Sequence, residues 1–101
     1  MVTIKEAEMQ TGITKQNIRY YEKIGLLQPS REQENKYRNY SEEDIRRLKL
    51  IFLFRKLDMP LEEIRQLLEG TIELQDALQM QKEMLVERQQ KLQAAISFCG
   101  Q

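Results

Sequence analysis

The run Asn17-Ile18-Arg19-Tyr20-Tyr21-Glu22-Lys23-Ile24-Gly25-Leu26-Leu27 places an arginine, two tyrosines and a lysine in adjoining positions. These side chains offer positive charge, hydrogen-bond donors and flat rings. Presented together by a helix, they suit a phosphate backbone and base edges. The same spacing also fits a tyrosine-rich core helix with a solvated arginine, and spacing alone leaves both open. Bond-breaking chemistry has little to work with. The chain has no histidine, no glycine-rich phosphate loop and no nucleophile–base pair, so neither an enzyme nor a cofactor is expected. Its single cysteine, Cys99, excludes an internal disulfide, and no metal site is expected.

The element that must carry these residues is a helix. Thr14 can cap it, and Ile18, Tyr21 and Ile24 then share a core-facing stripe. Arg19, Tyr20 and Lys23 fall on another face, and Gly25 supplies the left-handed residue that ends such a helix. Before it, Thr3 and Glu6 have capping-box spacing for a helix over residues 4–10 that buries Ile4, Ala7 and Met9. Thr11-Gly12 breaks that helix, giving the tight connection of a helix-turn-helix.

After Leu27, Pro29 blocks helix continuation. Two short strands are expected near Leu27-Gln28 and Arg38-Asn39-Tyr40, joined by a loop over residues 32–36. Such a wing carries Arg31, Lys36, Tyr37 and Arg38, which suit a phosphate backbone. Ser41 caps a helix ending near Lys56, with Ile45, Leu48, Ile51, Phe52 and Leu53 as its apolar face. Its basic end holds Arg55 and Lys56. Pro60 is expected at the first position of a short helix burying Leu61, Ile64, Leu67 and Leu68, closed by Gly70.

Residues 71–98 contain neither Gly nor Pro and predict one long helix. Leu78, Leu85 and Leu92 recur every seven residues, with Cys99 in register as a small apolar seam residue. Leu74, Gln81, Arg88 and Ala95 make a mixed second seam, and Met84 and Ile96 widen the stripe. Earlier helices are short and already supply a core, so the expected partner is a second copy, in a short antiparallel coil. The expected dimer residues are Leu74, Leu78, Leu85, Leu92 and Ile96. The expected division is residues 1–70 as a winged helix-turn-helix and residues 71–101 as a dimerisation helix, mainly α overall.

The 101 residues carry 16 basic and 16 acidic side chains, so net charge is zero. Residues 14–38 hold six bases against three acids. A local basic footprint inside a neutral chain fits selective rather than indiscriminate nucleic-acid binding. No apolar run is long enough to span a bilayer, and no signal peptide is evident, so a cytoplasmic protein without a membrane partner is expected.

Taken in order, Ile18-Arg19-Tyr20-Tyr21-Glu22-Lys23-Ile24-Gly25-Leu26-Leu27, then Tyr37-Arg38-Asn39-Tyr40-Ser41 with Asp44 and Ile45, then Leu61-Glu62-Glu63-Ile64 resemble the MerR (mercury-resistance regulator) family of bacterial transcription regulators. The resemblance covers essentially the whole chain. It implies a dimer that binds double-stranded DNA at a pseudo-palindromic promoter element. It further implies distortion of an overlong promoter spacer, so that RNA polymerase can engage both promoter elements. By position, Lys15, Gln16, Arg19 and Tyr20, following the cap Thr14, match the groove-helix contacts. Tyr37 and Arg38 match the wing contacts, and Arg55 and Lys56 lie where a second wing approaches DNA. Two departures stand out. Lys36 replaces the glycine common before the wing tyrosine, and Pro60 replaces a Ser or Thr cap. Family sensors carry clustered cysteines or a further ligand domain, so this chain is expected to be either a piece of a longer protein or a small regulator with little effector apparatus. The weighed alternatives are an excision factor that builds DNA architecture, and a helical protein-interaction adaptor.

Overall fold

The computed structural model describes residues 2–27, 30–31 and 38–101. Five helices dominate: α1 (Ile4–Thr11), α2 (Lys15–Lys23), α3 (Glu42–Lys56), α4 (Leu61–Glu69) and α5 (Leu74–Cys99). Between α2 and α3, β1 (Ser30–Arg31) and β2 (Arg38–Asn39) pair antiparallel, Ser30 opposite Asn39 and Arg31 opposite Arg38. The first strand therefore lies beyond the expected Leu27-Gln28. Leu27 is only 2% exposed and serves the core instead. The expected loop over residues 32–36 lies outside the described residues.

Local chemistry accounts for the helix ends. Thr14 Oγ1 accepts from the Asn17 amide at 3.2 Å. Ser41 and Asp44 form a full capping box, side chain to backbone in both directions. Gly25 sits at φ +85°, where a Cβ would also meet the Arg65 guanidinium at 3.3 Å. Pro60 occupies the N-cap of α4 rather than its first helical position. Its extended backbone there, ψ 148°, suits a residue that needs no amide partner.

The core gathers Ala7, Ile18, Leu26, Tyr40, Leu48, Ile51 and Ile64 from α1 to α4 and the wing base. The chain start is tied in, because Val2 and Tyr40 exchange both backbone hydrogen bonds at 2.8–2.9 Å. Two expected core residues are outside it. Met9 is 77% exposed and Leu53 52% exposed, while Phe54, at 6%, takes the inward position on α3. In the consecutive apolar run from Ile51 to Phe54 only helix rotation decides which residues face in.

α5 projects from this head, giving extents of 65 × 30 × 20 Å and a radius of gyration of 17.5 Å. A globular chain of this length would have about 13 Å. The first turns of α5 do have an intrachain partner, contrary to expectation. Ala77 and Gln81 are buried against the head. Gln81 Nε2 donates to the Leu57 carbonyl at 2.6 Å, and Arg88 pairs with Asp58 at 3.8 Å. The mixed seam thus faces the α3–α4 turn in part. Of the leucine column, Leu85 is half-buried, while Leu74, Leu78, Leu92 and Ile96 are exposed.

Candidate nucleic-acid interface

α2 is held from behind and open in front. Ile18 and Tyr21 are buried, and Ile24 packs against the core. Gln16, Arg19, Tyr20 and Lys23 are exposed at a spacing that puts them along one stripe. The start of α2 is secured twice. Thr14 caps it, and Glu8 of α1 accepts from the Lys15 amide at 2.8 Å. Its far end is secured by two arginines that sequence reasoning passed over. Arg65 of α4 donates to the Ile24 carbonyl, and Arg47 of α3 donates to the Leu26 carbonyl at 3.2 Å. The Tyr40 hydroxyl, at the base of the wing, donates to Glu22 on the flank of α2. Helix, wing base and both following helices are thereby one frame.

In front, an open groove of ≈ 440 Å³ joins α2 to the end of α3. Among its walls are Thr14, Asn17, Tyr20, Tyr21, Arg55 and Lys56. Four expected residues, Thr14, Tyr20, Arg55 and Lys56, are therefore brought together. Lys15, Gln16 and Arg19 lie on α2 outside this lining. Asn17 was missed by sequence reasoning, although its position in the first turn of α2 beside Thr14 was readable.

The two cations at the end of α3 are anchored within the chain. Arg55 Nη1 donates to the Met59 carbonyl at 2.8 Å, and Lys56 Nζ stands 4.7 Å from the centre of the Phe52 ring. Both residues remain exposed. Each cation is thus held in place and still open to an anion, which lowers the ordering entropy a contact would cost. Burial pushes the Tyr21 phenol above its usual 10.0; the charge of Arg55 opposes this and Tyr20 adds to it.

Arg31 and Arg38 are in the two-stranded ladder and opposite one another. Lys36 and Tyr37 lie outside the described residues. Among the described residues no cluster of His, Cys, Asp or Glu could hold a metal ion, and no helix is long and apolar enough to cross a membrane.

Known proteins share this fold. The family described as "MerR HTH family regulatory protein" matches residues 2–71, and "MerR, DNA binding" matches residues 45–98. The HTH-type transcriptional activator mta of Bacillus subtilis is 32% identical over 94 residues, covering 92% of this chain and 37% of that protein. The heavy metal-dependent transcription regulator 2 of Rhizobium meliloti is 37% identical over 67 residues, covering 66% of this chain and 46% of that protein. The chain therefore spans less than half the length of these two relatives. The crystal structure of the N-terminus of the Bacillus subtilis multidrug transporter activator, MtaN, superposes with a TM-score of 0.87 at 31% identity, over 96% of this chain and 92% of that one. The lead(II) complex of PbrR691 from Ralstonia metallidurans superposes with a TM-score of 0.80 at 28% identity, over 96% and 81%. With its turn-linked α1 and α2, its short wing ladder and its projecting α5, this chain belongs to the MerR helix-turn-helix family of regulatory proteins.

Proposed function

We propose that this chain is a dimeric, sequence-specific DNA-binding regulator of transcription. The observation that carries the reading is the groove in which Thr14, Asn17 and Tyr20 meet the anchored cations Arg55 and Lys56 at the end of α3. In this reading α2 enters the major groove, with Thr14, Lys15, Gln16, Arg19 and Tyr20 toward bases and nearby phosphates. Arg55 and Lys56 meet the backbone, as do the wing residues Arg31, Lys36, Tyr37 and Arg38. Residues 1–70 form the DNA-binding unit and residues 71–101 the dimer helix, whose first turns also brace that unit. The dimer seam is formed by Leu74, Leu78, Leu85, Leu92 and Ile96.

Two half-sites related by the dimer axis make a pseudo-palindromic promoter element. Distortion of that element in favour of RNA polymerase, in the cytoplasm, completes the proposal. The family matches across residues 2–98 favour it over an excision factor or an adaptor. Selecting bound sequences from random duplex DNA tests it. The expected result is an enriched inverted repeat. A pool with no common sequence would overturn the proposal.

A further inference from the structure

The turn between α3 and α4 is held by side chains from two directions. The Leu57 carbonyl accepts from Gln81 of α5 at 2.6 Å, and the Met59 carbonyl accepts from Arg55 of α3 at 2.8 Å. Asp58, between them, has φ +58° and pairs with Arg88 of α5 at 3.8 Å. Gln81 and Arg88 are seven residues apart and so lie on one face of α5. They hold Leu57 and Asp58, the two residues that lead into Met59, on whose carbonyl the Arg55 guanidinium rests.

Gln81 is a costly choice for mere packing. It is 2% exposed, and its Oε1 is buried without a hydrogen-bond partner among the described residues. An unpaired buried amide oxygen is destabilising. An apolar side chain of similar length would fill the same space without it. What the amide adds is its donor, aimed at a carbonyl that the end of α3 leaves without a helical partner.

We propose that Gln81 is a positioning residue that couples the dimer helix to DNA, holding the α3–α4 turn so that Arg55 and Lys56 face the backbone. This rests on the DNA-binding reading above. α5 then does more than join two copies, because movement along α5 would change how firmly the turn presents its cations.

The test uses the full chain and the duplex selected by wild type. Gln81→Met keeps volume and removes the donor. Affinity should fall about tenfold, the scale of one charged backbone contact, with the salt slope flatter by about one unit. Melting temperature and dimer mass should stay at wild-type values. Lys56→Ala should flatten the slope in wild type and add little in the Gln81→Met background. Arg88→Ala removes only the exposed rung and should cost about twofold in affinity, being a solvent-exposed pair. It keeps the question answerable should Gln81→Met fail to fold. Wild type, Gln81→Met and Arg88→Ala binding the duplex alike, with equal salt slopes, would overturn the coupling and leave the DNA reading intact. A wild-type chain that selects no duplex would remove both.

Discussion

α2 and the outer half of α5 look alike as strings, each a helix with spaced apolar residues and charges between. Their surroundings differ completely. In α2, Ile18 is 0% and Tyr21 7% exposed, part of one core with Ala7 of α1, Leu48 and Ile51 of α3, and Tyr40. In α5, no residue beyond Gln81 is buried, and Leu92, Ile96 and Phe98 are 58%, 64% and 77% exposed. Apolar spacing states that a helix needs a cover and not where the cover comes from. The head finds it within the chain. Past Arg88, the ion pair of α5 among the described residues is to its own helix, Lys91 to Glu87 at 3.4 Å.

The sharpest way to break this contrast is to charge the uncovered column. Leu92 is 58% exposed, so Leu92→Glu should leave the head folded. If Leu92 packs against a second copy, each burial is worth roughly 1.5–3 kcal/mol and the change is felt twice. The variant should sediment as a monomer at concentrations where wild type is a dimer. A wild-type monomer, or an unaltered dimer in the variant, would place the cover of α5 elsewhere.

The head should respond in the opposite way. Ile51 is fully buried within the chain. Ile51→Ala should lower unfolding free energy by about 2–5 kcal/mol, read from denaturant midpoints. Dimer mass of the folded fraction should not change. A loss of dimer without a loss of stability would reverse the roles assigned to head and helix.

Much of the head was legible because its signals are local. Thr14, Ser41, Gly25 and Gly70 each act within one turn of chain, so helix ends were readable from residue type alone. The groove was legible in part, through the stripe on α2 and the paired cations at the end of α3. The bracing was not. Arg47, Arg65 and Gln81 reach carbonyls 21, 41 and 24 residues away, and no periodicity encodes such a partner. The seam of Gln81 and Arg88 looked like a poor coiled-coil column because half its duty is to the head. Met9 and Leu53 failed for a simpler reason. An apolar residue at a helix edge satisfies the pattern whether or not anything covers it.

On the open face of α2 the expected effects are smaller. Arg19 is exposed, and no contact within the chain depends on it among those described. Arg19→Ala should leave the melting temperature unchanged and weaken binding to the selected duplex by roughly 1–3 kcal/mol if it reads a base. Competition against mismatched duplexes separates base reading from phosphate contact, since only base reading relaxes the sequence preference. Equal affinity at moderate salt would move the interface off this stripe.

The smallest expected effect lies on the buried side of the same helix. Burial raises the Tyr21 phenol above 10.0, with the nearby Arg55 charge partly offsetting it. The folded state therefore holds its proton more tightly than the unfolded chain. The resulting stability is fully present below the unfolded value and is lost as pH rises through the folded one. Tyr21→Phe removes this titration while keeping the ring in the core. Unfolding midpoints measured at pH 8 and at about pH 11 should fall less in Tyr21→Phe than in wild type. Only that difference is read, because other tyrosines and lysines add their own alkaline slope. Identical slopes would mean that Tyr21 ionises equally easily in both states, and that the back of α2 is wetter than its 7% exposure implies.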